Sequence, residues 1–217
     1  ANLMAFLDNP SAKKLTKDPV YQYATAFYTH YMANYRTQVN AYNATKSLQM
    51  RTYVKGLMEM DPKMVQYPDA NSTLRLTYGT VQSYQPKDAV HYSFYTTIEG
   101  IMEKYVPGDY EFDLPTGLID LYNTKNYGQY ANAKGELPVG FITNNDITGG
   151  NSGSPVINGN GELIGLAFDG NWEAMSGDIV FDPKYKRCIN VDIRYVLFII
   201  DKYHGATNII NELNLVK

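Results

Sequence analysis

The distribution of glycine divides this sequence into two regions. The first 70 residues contain only Gly56 of the 17 glycines in the chain. The pair Asp18-Pro19 predicts a helix start, with the aspartate as N-cap and the proline at the first helical position. Beyond it apolar and aromatic residues recur at helical spacing, namely Tyr21, Ala24, Tyr28, Tyr31, Tyr35, Tyr42, Met50, Val54, Leu57 and Met58. We therefore predict one long helix across Tyr21 to Tyr42 and a helical region over residues 1–70.

The composition changes near residue 70, where alternating apolar residues and turn residues become frequent. Alternation predicts β-strands, and the chain offers it at 74–78, 80–84, 139–143, 155–157, 162–168, 179–181 and 188–191. The run Asn158-Gly159-Asn160-Gly161 predicts a hairpin turn between two of these strands. A short helix is predicted at 96–105 and loop at 110–135. Asp192 is predicted to cap a helix that ends at Gly205 and buries Val196, Ile199 and Ile200, with a last helix at about 208–213.

Charge and residue scarcity exclude several function classes. The 217 residues carry 19 Lys and Arg against 22 Asp and Glu, a net charge of -3, which argues against nucleic-acid binding. No apolar run approaches the length of a membrane span, and residues 1–9 lack signal-peptide character. One cysteine, Cys188, allows no internal disulfide, and its apolar strand predicts a buried core position. The 20 tyrosines are interpreted as packing residues, with a groove for carbohydrate or peptide as the alternative.

The segment Thr148-Gly149-Gly150-Asn151-Ser152-Gly153-Ser154-Pro155-Val156 carries the chemistry of the sequence. Its glycines permit a tight turn with positive φ, and a serine at the apex of such a turn is exposed for nucleophilic attack. The N–H groups of Gly150 and Ser152 are the natural donors to an oxyanion. A P-loop is excluded because no lysine is present, and an α/β-hydrolase elbow because Ser154 replaces its last glycine. A plain polar β-turn stays open as the alternative.

This motif resembles the Gly-Asn-Ser-Gly-Ser-Pro signature of the chymotrypsin clan, which glutamyl endopeptidases share. A longer likeness over residues 146–156, 163–173 and 187–197, with shorter ones at 95–97 and 103–105, is similar to the bacterial dipeptidyl-peptidase 7 and 11 family. The resemblance implies the C-terminal third of such an enzyme. Residues 1–70 would then end a helical domain, and residues 71–217 would form the second of two antiparallel β-barrels, closed by C-terminal helices.

The resemblance also assigns roles to individual residues. It makes Ser152 the nucleophile, gives the oxyanion hole to Gly150 and Ser152, and lets Asp169 hold the free amino terminus of the substrate. Gly170 would line the pocket for the residue before the cut, flanked by Phe168 and Asn171. The family branch that prefers acidic residues has arginine at the position of Gly170, so glycine predicts a hydrophobic preference. An aspartate six residues before the nucleophile selects Lys or Arg in trypsin-like enzymes, but Asp146 is predicted instead to satisfy loop amides.

The general base is the missing part of this assignment. Serine needs a base to take its proton, and none of His30, His91 and His204 has the context that the clan gives its catalytic histidine. The resemblance therefore places the histidine and aspartate on an N-terminal barrel of the same protein, and this chain alone is predicted to be inactive. The other expected partner is a peptide substrate, with a homodimer allowed by resemblance. No metal or cofactor is expected, and the parent would be periplasmic or on the cell surface. An endopeptidase fragment and a non-catalytic peptidase-like scaffold stay open as alternatives.

Overall fold

The computed structural model describes residues 2–63, 73–175, 177 and 181–216. These fall into two units, Ala1–Gln66 and Tyr67–Lys217. The first unit is helical, with α1 (Asn2–Asp8), α2 (Ala12–Leu15), α3 (Pro19–Asn34) and α4 (Arg36–Met60). None of the helices among the described residues is long and apolar enough to cross a membrane.

Helix α3 begins as the sequence predicts. The Asp18 carboxylate accepts hydrogen bonds of 2.9 Å from the N–H groups of Val20 and Tyr21, so it caps the helix ahead of Pro19. The prediction of one long helix is wrong at Tyr35, whose φ of -122° lies outside the helical region and separates α3 from α4. The described residues of α3 and α4 include no buried side chain, so this unit gives no support to tyrosine packing.

The second unit is built on antiparallel strands. Strands β1 (Tyr84–Lys87) and β2 (Val90–Tyr92) form a hairpin. Five more form a second sheet, namely β3 (Tyr95–Thr97), β4 (Pro138–Thr143), β5 (Pro155–Ile157), β6 (Leu163–Gly170) and β7 (Cys188–Asp192). Their order is β3-β4-β7-β6-β5, and every neighbouring pair is antiparallel. The mixed helix and antiparallel-sheet class is as predicted, while β3 and β5 are the edges of an open sheet over the part of the chain described.

The described residues of this unit also form four helices. They are α5 (Ile98–Glu103), α6 (Thr116–Asn123), α7 (Ile193–Phe198) and α8 (Thr207–Glu212), with short turns at Gly128–Tyr130 and Trp172–Ala174. Asp192 caps α7 by accepting from the Arg194 N–H at 2.9 Å, as predicted. The helix continues as a π-helical turn, Ile199–Tyr203, and Gly205 follows it with a φ of +66°, which suits glycine at a helix C-terminus.

The structure departs from the sequence predictions in three segments of this unit, at 110–135, 74–84 and 179–181. The predicted loop at 110–135 contains α6 and the turn at Gly128–Tyr130, because Leu118, Tyr127 and Tyr130 are buried despite the polar composition around them. The predicted strand at 74–78 is absent, and Leu74 and Leu76 are exposed. Of the strand predicted at 80–84, only Tyr84 lies in a strand, as the first residue of β1, and Val81 makes a single bridge to Thr143. For the strand predicted at 179–181, residues 179 and 180 lie outside the described residues, and Phe181 is not in a strand.

The hydrophobic core lies between the helices and the sheet. It consists of Ile98, Leu118, Tyr127, Tyr130, Leu137 and Phe198. Helix α7 packs against β4, β6 and β7. Within the sheet, Gly165 of β6 leaves no room for a side chain, because a Cβ there would lie 2.6 Å from the Val191 carbonyl oxygen and 2.7 Å from the Phe141 ring. Phe198 was not predicted as inward-facing, whereas Val196, Ile199 and Ile200 are half-buried.

Candidate active site

Ser152 lies at the apex of a turn that precedes β5 and is held against β6. The turn takes positive φ at Gly150 (+97°) and Gly153 (+77°), which glycine adopts at little cost. The Gly153 N–H donates to the Ala167 carbonyl at 2.7 Å, and the Ala167 N–H donates to the Ser154 carbonyl at 2.9 Å. Ser152 is exposed, and its hydroxyl donates to the Phe168 carbonyl at 3.4 Å. The sequence therefore places an accessible hydroxyl on a rigid support.

The N–H groups of Gly150 and Ser152 have no hydrogen-bond acceptor within the described residues. Both residues are exposed, so these two donors beside the serine hydroxyl are open to solvent or to an external acceptor. The sequence assigned these same two groups to the oxyanion hole, and that role stays a prediction.

Asn151 fixes the turn from the inside. It is buried, and its Oδ1 accepts from the Thr148 N–H at 3.2 Å and from the guanidinium of Arg75. Arg75 comes from the segment that precedes β1, so this contact joins two parts of the chain 76 residues apart. The sequence gave no signal for Arg75, because no local pattern predicts a contact over that separation.

The end of β6 carries the predicted substrate-binding residues beside Ser152. Phe168 is 62% exposed, and Asp169 is also exposed, with Oδ1 accepting from the Gly170 N–H at 2.7 Å. At Gly170, which pairs with Cys188, an added Cβ would lie 3.5 Å from the Ala174 Cβ. That distance is an ordinary contact, so the backbone here could carry a side chain. The irregular register between Ala167 and Asp169 lies next to Ser152, where such bulges re-aim side chains.

Asn171 lies differently from its neighbours because its side chain is buried. Its Nδ2 donates to Glu173 Oε2 at 2.9 Å and to the Tyr185 carbonyl at 2.8 Å, while its Oδ1 accepts from the Arg187 N–H at 2.7 Å. The structure thus places the Asn171 amide within the protein, where it holds the turn after β6. A direct contact of Asn171 with substrate stays a prediction.

Tyr84 and Glu173 extend this network. The Tyr84 hydroxyl donates to Glu173 Oε2 at 2.7 Å. Burial is the main cause that raises the pKa of Tyr84, although the Asn171 hydrogen bond lowers it. The hydroxyl is therefore a hydrogen-bond donor at neutral pH.

Arg187 is the most deeply buried charge of the network, with 2% of its surface exposed. Its guanidinium donates to the carbonyls of Gln82 and Ser83 at 3.2 Å, of Pro183 at 2.9 Å and of Lys186 at 2.8 Å. It also faces the Tyr84 ring at 5.3 Å from the centroid. Burial lowers the pKa of Arg187, while the carbonyls satisfy its donors.

The sequence predicted that Asp146 accepts hydrogen bonds from loop amides, and this prediction is wrong. Its Oδ1 lies 2.5 Å from Nζ of Lys186, a residue with 4% of its surface exposed. The prediction failed because Lys186 lies 40 residues away along the chain, beyond the reach of local motif reasoning.

Neither histidine of the second unit, His91 or His204, is a hydrogen-bond partner of the Ser152 hydroxyl within the described residues. His30 is in α3 beside Asn34, His91 is exposed in β2, and His204 stacks edge-on against Tyr203. Cys188 is buried as predicted, and burial raises the pKa of its thiol to about 11, which makes the thiolate scarce at neutral pH. No group of three metal-ligating side chains occurs over the described residues.

Comparison with known proteins connects this site to a peptidase family. The model of the Peptidase S46 family matches residues 1–215. The chain is 52% identical over its whole length to a dipeptidyl-peptidase 7 of Phocaeicola vulgatus, and 48% identical to an Asp/Glu-specific dipeptidyl-peptidase of Flavobacterium psychrophilum. It spans only 30% and 31% of those relatives. It also resembles the crystal structure of Porphyromonas endodontalis DPP11, with a TM-score of 0.84 at 44% identity, covering 97% of this chain and 32% of that one. A structure of the same DPP11 in complex with substrate gives a TM-score of 0.80.

Proposed function

Because the chain belongs to the Peptidase S46 family, we propose that it supplies the nucleophile of a serine dipeptidyl-peptidase. Ser152 attacks the second peptide bond from the free amino terminus of an oligopeptide, forming an acyl-enzyme that water then hydrolyses. The observation that carries this proposal is the exposed Ser152 hydroxyl on a glycine turn whose Gly150 and Ser152 N–H groups lack acceptors. Such donors stabilise the negative charge that develops on the substrate carbonyl oxygen.

Asp169 gives the proposal its exopeptidase character. Its carboxylate is exposed at the end of β6, next to the residue whose carbonyl accepts from Ser152. A carboxylate paired with the substrate ammonium limits how much chain fits between the amino terminus and the nucleophile, which favours release of dipeptides.

Gly170 supports a hydrophobic preference at the residue before the cut. Its backbone has room for a side chain, yet the sequence has none there, so the pocket wall offers no cation to an acidic substrate. Both dipeptidyl-peptidase 7 and Asp/Glu-specific enzymes are among the relatives, so the family alone does not decide this preference. Exposed Phe168 adds apolar surface beside the pocket.

The base of the reaction is proposed to come from another part of a longer protein. Ser152 has no histidine partner over the described residues, and the relatives are about three times longer than this chain. In this proposal the open sheet is the second barrel of a two-barrel peptidase, and the parent acts in the periplasm or at the cell surface.

The test uses the full-length enzyme and dipeptidyl chromogenic substrates. We expect the wild type to release dipeptides, Ser152→Ala to lose turnover, and the isolated 217-residue chain to be inactive. Asp169→Ala should reduce kcat/KM by about 100-fold on a substrate with a free amino terminus. The same variant should not change the kcat/KM for a peptide whose amino terminus is blocked. Cleavage of blocked peptides as fast as free ones would favour an endopeptidase. Failure of a fluorophosphonate probe to label Ser152 in the full-length protein would favour a scaffold.

A further inference from the structure

The ion pair of half-buried Asp146 and buried Lys186 lies in the part of the unit that carries Ser152. Nζ of Lys186 is 2.5 Å from Asp146 Oδ1 and 5.5 Å from the centroid of the Phe181 ring. On another side, a Cβ at Gly177 would lie 2.6 Å from this Nζ, so the space that a side chain would fill is taken by the lysine. A buried ammonium is tolerated only with a counter-charge, which Asp146 supplies.

A ring of contacts links this pair to Ser152, beside which the substrate pocket is proposed. At one point of the ring, the Ser152 hydroxyl contacts the Phe168 carbonyl at 3.4 Å. From there β6 runs to Gly170, which pairs with Cys188, and the Asn171 N–H donates to the Arg187 carbonyl at 3.0 Å. Lys186 then reaches Asp146, and six residues of chain lead back to Ser152. The ion pair therefore closes the ring on the side remote from Ser152.

We propose that Lys186 determines specificity by acting as an internal counterion to Asp146. A free carboxylate at this place would attract a lysine or arginine side chain of the substrate. The ammonium of Lys186 occupies the position of such a substrate cation and neutralises Asp146, so the pair adds no net charge to the pocket. Asp146 keeps 27% of its side-chain surface exposed, so removal of the lysine would present a carboxylate to substrate. This inference rests on the proposed function, because it needs a pocket for the residue before the cut.

The experiment compares full-length wild type with Lys186→Met on substrates with Leu, Glu or Lys before the cut. The variant should raise the kcat/KM ratio of the Lys over the Leu substrate by about 10- to 100-fold, the value of one charge-assisted hydrogen bond. Adding Asp146→Asn in a double variant should abolish that gain. Lys184→Met is the matched control, since the exposed Lys184 ammonium lies over the Tyr185 ring and should not alter the ratio.

A second variant gives an independent test with the opposite charge. Asp146→Asn leaves the Lys186 ammonium unpaired, so the Glu over Leu ratio should rise by a similar factor. Circular dichroism identifies any variant that does not fold. The wild-type rates on the Lys and Leu substrates test the inference even if every variant fails to fold. Unchanged ratios in a folded variant, a gain that persists in the double variant, or a wild type that cleaves the Lys and Leu substrates equally well would each overturn the inference. A wild type that cleaves no dipeptidyl substrate would instead overturn the proposed function on which it rests.

Discussion

The two ends of the second unit are built from different kinds of buried residue. The core end, formed by Ile98, Leu118, Tyr127, Tyr130, Leu137 and Phe198, is apolar or aromatic throughout. The site end, formed by Asn151, Asn171, Lys186 and Arg187 around the Ser152 turn, is buried but polar, and it exposes Phe168, Trp172 and Met175. Apolar burial stabilises without direction, whereas buried polar groups demand particular partners. The comparison suggests that one end supplies stability and the other supplies geometry.

Truncation of the core end should have the largest effect on stability. Phe198→Ala removes a side chain with no exposed surface and should lower the free energy of unfolding by about 3–5 kcal/mol. Urea unfolding of the chain measures this loss. In the full-length enzyme the folded fraction should keep its relative rates on different substrates. A changed substrate preference would contradict the assignment of stability to the core end and geometry to the site end.

Replacement at the site end should lower the free energy of unfolding by less than truncation of the core end, and should impair substrate binding more. Arg187→Lys keeps the charge but cannot donate to all four carbonyls, so unfolding should become easier by about 1–3 kcal/mol. The Arg187 guanidinium binds the Gln82 and Pro183 carbonyls, and the Arg187 N–H donates to the Asn171 side chain. A shift of this residue should therefore raise KM for dipeptidyl substrates in the folded enzyme. Steady-state kinetics at a temperature well below the transition separate this effect from unfolding.

A matched pair of tyrosines compares the ends directly. The Tyr130 hydroxyl donates to Asp201 at 2.9 Å in the core end, and the Tyr84 hydroxyl donates to Glu173 at 2.7 Å in the site end. Tyr130→Phe and Tyr84→Phe should each lower stability by about 1–2 kcal/mol. Only Tyr84→Phe should also change KM, since Glu173 binds the Asn171 amide. Equal kinetic effects from both variants would contradict the comparison.

The smallest effect is a pH dependence from Cys188. Its folded pKa of about 11 lies above the usual value of 9, so the unfolded thiol ionises first. The thiol's contribution is therefore complete below pH 9 and is lost as pH rises through 11. By pH 10 the wild type should have lost about 1 kcal/mol relative to Cys188→Ala. Urea unfolding of both proteins at pH 8 and pH 10 measures the difference, and parallel curves would contradict a buried thiol.

Local signals predicted the parts of the fold that depend on neighbours in sequence. The Asp18 and Asp192 caps, the turn at Asn158 to Gly161 and the strand beginning at Cys188 all follow from a few adjacent residues. Helix α6 was missed because its apolar face is short and lies within a segment of mostly polar residues. The partners of the site end could not be predicted, because Arg75, Lys186 and the carbonyls that bind Arg187 are brought together only by the completed fold.

The carbonyls that bind Arg187 carry a consequence for the order of folding. Gln82 and Ser83 lie 105 and 104 residues before the arginine, whereas the strands β5 and β6 are joined by five residues, 158–162. Contacts over long separations form late, because the intervening chain must first be ordered. We expect the neighbourhood of Ser152 to reach its final geometry only after the sheet and its helices have formed. A partly folded chain would then carry the Ser152 turn without the buried polar contacts that surround it in the folded unit.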